Sequence, residues 1–284
     1  MAMRRGDGVE TSQAGVSAAD HDAAEAHRIA ECFVHARRAA CALSRFPGVI
    51  PATLERAYRC QALAIAQWPD GVAGWKVARI PPDFRAQYPE ERLVGPVFAA
   101  NVRVPAPGAA AVCPVFAGGF AAVESELVIR LAADAPADKT AWSIAEAANL
   151  VASVHVGVEV ASSPLATLND LGSGAVISDF GNNWGVVVGP AIEHWGRVET
   201  IAARTYVDDQ LVGDGAATMQ DALDALAFAL AKCAAQGRPL RADDVISTGM
   251  ITGVHEVRVG QRSRHVFEGC ADLYCHIVAE GAHS

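Results

Sequence analysis

The apolar residues of this chain change their spacing once, near Gly74, and that change limits the fold more than any other feature. Before it, Ile29, Phe33, Ala36, Ala40 and Leu43 recur every three or four residues, which lays them on one face of a helix. Ser17 followed by Asp20 gives that helix a capping signature, and Pro47 with Gly48 sets its end. Leu54, Tyr58, Gln61, Ile65 and Trp68 repeat the pattern in a second helix, which begins near Pro51 and stops at the turn Pro69-Asp70-Gly71. After Gly74 the spacing falls to two. Residues 74–80, 124–131, 154–160, 184–188 and 265–278 all carry apolar side chains at strand spacing. Two helices interrupt them. Ser143 and Glu146 make a capping box for a short one ending near Ser153. Thr218 and Asp221 open a longer one, with Met219, Leu223, Leu226, Leu230 and Cys233 on its buried face, Lys232 suited to its C-terminal end, and Gly237 and Pro239 as its stop. Strands that outnumber helices without alternating with them do not make a Rossmann sheet. No G-x-G-x-x-G, Walker loop or G-x-S-x-G elbow is present. The reading is an α+β chain, with a helical N-terminal region over 17–70 and a mixed, mostly β domain over 71–284. The polar, Gly-rich residues 1–16 are expected to be disordered and lack the apolar run of a secretory leader.

Composition narrows the partners. The chain has 284 residues, 51% of them hydrophobic, enough for one sizeable core. A net charge of -9 opposes a nucleic-acid partner, which needs a basic surface. It does not oppose an anionic small substrate, because one metal ion reverses the local field. The seven cysteines are Cys32, Cys41, Cys60, Cys113, Cys233, Cys270 and Cys275, with no C-x-x-C pair among them. Scattered thiols of this kind read as small packing residues of a reducing compartment, so a cytoplasmic protein is expected. Residues 104–123 carry no charge, but Pro105, Pro107, Gly108, Pro114, Gly118 and Gly119 would break a membrane-spanning helix there.

The chemistry concentrates in two strands. In Val123-Glu124-Ser125-Glu126-Leu127, positions two apart share a face, so Glu124 and Glu126 project side by side. Two carboxylates that close repel unless a cation sits between them. A solvent-facing edge strand would account for the pair equally well. In the second run, Val154, Val156, Val158 and Val160 share one face, while His155, Gly157 and Glu159 share the other. A wholly apolar face is packed on a core, and Gly157 would leave room beside the acid. Three carboxylates from two strands, Glu124, Glu126 and Glu159, suit the oxygen ligation of Mg²⁺ or Mn²⁺, with positions left for water or substrate. His155 reads as a structural histidine. Lys76, between apolar neighbours in Gly74-Trp75-Lys76-Val77, is either a side chain reaching the surface or a cation inside the pocket. Asp179, in the polar turn Ser178-Asp179-Phe180-Gly181-Asn182, and the strand end Thr248-Gly249 are further candidates, since loops entering strands commonly hold site residues.

Taken in order, these residues resemble the 2-oxo-4-pentenoate hydratase and 4-oxalocrotonate decarboxylase family, which has the fold of the fumarylacetoacetate hydrolase C-terminal domain. The resemblance runs from about Tyr58 to the C-terminus. Ala57-Tyr58 with Gln61 is similar to the family's helix before its first strand, and Gly74-Trp75-Lys76-Val77 to its G-x-K-[IV] strand. Glu124-Ser125-Glu126 resembles its E-x-E, Glu159 its third metal-binding glutamate, and Asp179 the aspartate of its A-D-N-A-S turn. Gly237-x-Pro239-Leu240, Asp244-Val245-Ile246 and Thr248-Gly249 resemble its closing motif. Two departures stand out. Leu93 occupies the place of an aspartate in the hydratases' P-D-[FY]-G, and Asn182 the place of a serine.

The resemblance implies a mostly β roll or barrel and a site holding Mg²⁺ or Mn²⁺ on Glu124, Glu126 and Glu159. It also implies catalytic roles for Lys76 and Asp179 and substrate contacts from Asn182 and Thr248. The activity it implies first is hydration of a short unsaturated 2-oxo acid through an enolate, then metal-assisted decarboxylation of an unsaturated 2-oxo dicarboxylic acid, then C–C hydrolysis or tautomerisation. A non-catalytic subunit of a hydratase–decarboxylase complex is the alternative from another class, and Leu93 fits it. A homo-oligomer is expected.

Overall fold

The computed structural model describes residues 18–281. Ser17, the expected helix cap, and residues 1–16, expected to be disordered, lie outside the described residues. Two helices precede Gly74: α1 (Ala18–Arg38) and α2 (Leu54–Gln67), packed on each other. Then follow β1 (Val72–Arg79), β2 (Arg92–Phe98), β3 (Val102–Arg103), β4 (Ala110–Val115) and β5 (Phe120–Leu131). After the short α3 (Ile144–Ala148) come β6 (Val151–Ser163), α4 (Ser173–Ser178), β7 (Asn183–Ala191), β8 (Thr200–Val207) and β9 (Gln210–Thr218). The chain closes with α5 (Met219–Ala235), β10 (Val245–Ser247), β11 (His255–Glu256), β12 (Arg262–Phe267) and β13 (Leu273–Ala279). One mixed sheet runs in the order β2-β1-β10-β5-β6-β7-β3, with β11 beside β5, and curls into a half-barrel. A second runs β4-β13-β12-β8-β9. The α+β class and the roll-type domain are therefore as the sequence implies.

The centre of the fold is the β5–β6 pair, antiparallel from Phe120↔Ser163 to Leu131↔Val151. Val123, Leu127 and Ile129 of β5 join Val154, Val156, Val158 and Val160 of β6 in the main core, together with Leu226 and Leu230 of α5. Each buried valine contributes roughly 1.5–3 kcal/mol. A slip of one residue would exchange that apolar face for His155, Gly157 and Glu159, so the register is strongly set. Ser125, also on the core side, bonds to Thr205 Oγ1 (2.7 Å) and His265 Nδ1 (2.8 Å), tying the two sheets together. At the outer edge, α2 satisfies the exposed rim of β2. Val94 N–H donates to the Tyr58 hydroxyl (3.1 Å), and Gln61 Nε2 donates to Val94 C=O (3.1 Å) and Ile177 C=O (3.0 Å).

Several boundaries differ from the sequence expectation. The apolar spacing predicts a first helix as far as Pro47, yet α1 ends at Arg38. Ala40 takes a φ of 50°, Cys41 N–H bonds back to Ala36 C=O (2.9 Å), and Leu43 leaves to form a bridge with Leu165. That tertiary pairing overrides the local period. The capping box at Ser143 is present, but α3 ends at Ala148 and Ser153 already belongs to β6. Residues 265–278 are two strands, not one, separated by a turn through Gly269 (φ 74°). The uncharged residues 104–123 are divided between β4 and the start of β5, and no described helix is long and apolar enough to cross a membrane. Cys60, Cys113, Cys233 and Cys275 are buried as packing residues, whereas Cys41 is exposed.

Candidate metal centre

Four adjacent strands, β1-β10-β5-β6, bring the candidate residues together. Glu124 of β5 lies directly across from Glu159 of β6, and Glu126 is one pleat further along the same face. The carboxylates of Glu124, Glu126 and Glu159 are buried, with ligand oxygens within 4.8 Å of one another. From β1, Lys76 places its Nζ 2.9 Å from Glu159 Oε1. From β10, the Ser247 hydroxyl donates to Glu126 Oε2 (2.5 Å), which also accepts the Gly249 N–H (2.9 Å). The pair of acids on β5 is therefore no solvent-facing edge feature. Gly157 plays a different part from the one its spacing suggests. A Cβ there would come within 2.4 Å of Val128 and 2.7 Å of Val187 C=O, so the glycine serves strand packing rather than space beside the acids. His155 is structural, bonded to Ser153 Oγ (2.8 Å) and Gly189 C=O (2.9 Å).

The electrostatics of this group are out of balance. Burial pushes the Glu124 carboxyl up to about 8, with Glu159 adding to the shift and Lys76 opposing it. Glu126 is pushed well above the ordinary carboxylate range, first by burial and then by Glu159 and Glu124, against the Ser247 and Gly249 donors. Burial pulls Lys76 down, but Glu159, Glu124 and Glu126 together hold it above the usual lysine value. Glu126 Oε1 has no hydrogen-bond partner, and Glu159 Oε1, though within ion-pair reach of Lys76, lacks the alignment of a hydrogen bond. Buried carboxylate oxygens left this way are costly unless a cation joins them. An all-oxygen set without Cys or His fits a hard divalent cation such as Mg²⁺ or Mn²⁺.

Glu124 and Glu126 open into a cleft of about 490 Å³. Lys76, Asn182 and Thr248 also line it, but Glu159 and Asp179 do not. Asp179 is fully buried and bonded instead to Arg37. The Thr248 hydroxyl donates to Leu127 C=O (2.9 Å), leaving its lone pairs toward the cleft. Asn182 Nδ2 donates to Asn169 Oδ1 (3.1 Å), while its Oδ1 has no partner. Sequence reasoning missed Ser247, Asn169 and Ser173, whose buried Oγ is also unpartnered in the cleft wall. Ser247 could have been found, since it directly precedes Thr248 at the end of β10; Asn169 and Ser173 sit on one-turn elements with no period to read.

The sequence profile of the fumarylacetoacetate (FAA) hydrolase C-terminal family matches residues 72–277. The chain belongs to this family. Fumarylacetoacetate hydrolase relatives are metal-dependent enzymes of several reaction types. Among solved structures, 4-oxalocrotonate decarboxylase from Pseudomonas putida G7, complexed with calcium and acetate or with magnesium and adipate, is 17% identical. It superposes with a TM-score of 0.72 over 90% of this chain and 98% of that one. Fumarylpyruvate hydrolase from Pseudomonas aeruginosa, complexed with Mn²⁺ and pyruvate, is 18% identical, with a TM-score of 0.53 over 72% of this chain and 89% of its own. The 2-hydroxyhepta-2,4-diene-1,7-dioate isomerase from Mycobacterium marinum is 19% identical, with a TM-score of 0.53 over 75% and 77%. At such identities the likeness is one of fold. No curated protein sequence matches this one.

Proposed function

We propose that this chain is a divalent-cation-dependent enzyme that releases CO₂ from an unsaturated 2-oxo dicarboxylic acid, with hydration of a short unsaturated 2-oxo acid as the second reading. The observation that carries the proposal is the imbalance of the centre. Three buried carboxyl groups face one ammonium; ionised together on one Mg²⁺ or Mn²⁺, their three negative charges would equal those of the ammonium and the cation combined. The family's solved structures with calcium, magnesium or Mn²⁺, one of them with the 2-oxo acid pyruvate, support the same assignment. Bound on Glu124, Glu126 and Glu159, such a cation supplies a sink for the negative charge that develops on a 2-oxo oxygen.

The chain's own residues then set the reaction. Lys76, held charged by its three acidic neighbours, can pair with the substrate's C1 carboxylate, beside the 2-oxo group, or return a proton. Leu93 favours decarboxylation. It pairs with Ala78 across β1 and β2, two residues along the strand from the Lys76–Gly95 pair, and so shares the face of Lys76. With Ala78, Val176 and Phe84 it gives the cleft an apolar wall, while Arg79 and Arg92 line the same cleft. A carboxylate held against such a wall is destabilised, whereas neutral CO₂ is not. The bond to the substrate's distal carboxylate breaks, its electron pair passes through the conjugated double bond to the 2-oxo oxygen, CO₂ departs, and the carbon chain takes up a proton, while the carboxylate on the 2-oxo carbon stays in place. Hydration needs a group that activates water at this place, and leucine offers none. What favours hydration as the second reading is the pair of unpartnered oxygens, Asn182 Oδ1 and Ser173 Oγ, which could hold a water.

The test is a set of unsaturated 2-oxo acids incubated with purified protein, with and without Mg²⁺, and followed by ultraviolet absorbance and mass. A Mg²⁺-dependent loss of about 44 mass units is the expected result, and a gain of about 18 selects hydration. Binding of these acids without any turnover would overturn both and select the non-catalytic subunit.

A further inference from the structure

Asp179, a catalytic candidate by its motif, is held away from the cleft by a residue that the sequence gives no reason to notice. Arg37 lies in the last turn of α1, is buried, and donates through Nε to Asp179 Oδ1 at 2.5 Å. Its Nη1 donates to Asn183 C=O (3.0 Å), and its Nη2 to Ser162 C=O (3.0 Å) and Asp179 C=O (3.3 Å). The guanidinium also lies over the rings of Phe180 (5.0 Å) and Phe116 (5.3 Å). One side chain thus grips both ends of the turn from Asp179 to Asn183.

Between those grips the backbone is in an unusual state. Phe180, Gly181 and Asn182 have φ values of 53°, 69° and 62° in succession. Two of the three are not glycine, and such residues stay left-handed only where their surroundings over-determine them. The turn also presses on the wall of the cleft. A Cβ on Gly95 would fall 2.3 Å from Phe180 C=O, and one on Gly181 would lie 3.6 Å from Lys76 Cε. Gly181 and Asn182 line the cleft, while no residue of α1 does.

We infer that Arg37 is a positioning residue, which clamps the 179–183 turn in its left-handed form and thereby fixes Gly181 and Asn182 beside Lys76. Asp179 is then the anchor of the clamp rather than a group that touches substrate, and α1 becomes part of the active centre without entering the cleft. A planar fork suits this task, because four separate acceptor oxygens must be held at fixed angles. The effect on turnover rests on the function proposed above; the clamp itself concerns only the turn.

The test compares the wild-type chain with Arg37→Met/Asp179→Asn, which removes both charges so that neither is left buried alone. Hydrogen exchange of peptides covering the turn should rise at least about tenfold, with β5 and β6 unchanged. Affinity for Mn²⁺ should stay within about twofold, while kcat falls at least about tenfold. Turn peptides that exchange at the wild-type rate would overturn the clamp. A loosened turn with wild-type kcat would overturn its part in the reaction. Should the double variant fail to fold, Arg37→Lys serves instead. It keeps the charge but not the fork, and the turn should again exchange faster, whereas wild-type exchange would refute the inference. Because exchange needs no substrate, it judges the clamp even if the wild type turns over none of the acids, an outcome that defeats the function proposal alone.

Discussion

The two buried charge clusters of this chain differ in how they are balanced. In one, Glu124, Glu126 and Glu159 share a single lysine, and two carboxylate oxygens have no hydrogen-bond partner. In the other, Arg37 meets one carboxylate, whose Oδ2 also has no hydrogen-bond partner, and three backbone carbonyls accept from its other two nitrogens. Breaking a buried pair by removing one partner costs about 3–5 kcal/mol, so the second cluster is suited to holding backbone in place. The first also joins strands, through Lys76 to Glu159 and through Ser247 and Gly249 to Glu126, but it holds more acids than cations. Its excess charge is useful only when something arrives to neutralise it. The contrast is one of charge count: three carboxyl groups share one cation in the first cluster, and one carboxylate has a cation to itself in the second.

The comparison breaks most readily at Glu126. Glu126→Gln removes one charged ligand and leaves the shape, so Mn²⁺ affinity should fall on the order of a hundredfold, about 2.8 kcal/mol, with the circular dichroism spectrum unchanged. Paramagnetic relaxation titration measures this, and an unaltered affinity would sink the three-carboxylate centre. Mn²⁺ at about a hundred times its dissociation constant should also stabilise the wild type by roughly 2.7 kcal/mol, a gain that the variant should lose. Lys76→Met comes next. It removes the only cation in ion-pair contact with these acids among the described residues, and kcat should drop at least about tenfold, or ~1.4 kcal/mol in barrier. A wild-type rate would make Lys76 a structural counter-charge. Leu93→Asp probes the apolar wall. It places an acid beside Lys76, and the ratio of hydration to decarboxylation product should rise several-fold, on the order of 1 kcal/mol in relative barrier. A ratio by mass is insensitive to partial unfolding, and an unmoved ratio would remove Leu93 from the account.

Why one cluster was legible and the other hidden follows from range. Glu124, Glu126 and Glu159 could be grouped because strand alternation is a two-residue rule, and the four valines of β6 show which face is packed. The fold class was legible for the same reason, in the single change of period at Gly74. Arg37 pairs with a residue 142 positions away, and next to Arg38 it looks like any solvated helix end. Asp179 shows the opposite failure: its motif singles it out, but nothing local reveals the Arg37 partner that holds it outside the cleft lining. The strands β8 and β9 went unread because their pattern is faint: β9 is largely exposed and built of Gly, Ala and polar residues. Gly157 was visible, yet its reason lay in Val128 and Val187, which only the folded sheet brings beside it.

A third ion pair tests whether burial of both partners is what gives the Arg37 clamp its strength. Arg92 Nη2 lies 3.0 Å from Asp224 Oδ2, but the arginine is 5% exposed and the aspartate 52%. Water solvates the carboxylate in the folded and unfolded states alike, so little is gained by pairing it, and exposed pairs are worth about 0–1 kcal/mol. Asp224→Asn keeps the shape of the side chain and a hydrogen-bond acceptor for Arg92. Urea denaturation should therefore place its stability within about 1 kcal/mol of the wild type, whereas Arg37→Met alone, which strands Asp179 in the interior, should cost several times as much. A loss of several kcal/mol from Asp224→Asn would mean that one buried partner is enough, and the distinction drawn between a clamp and an ordinary rim pair would have to be made on the backbone acceptors of Arg37 instead of on the burial of its anion.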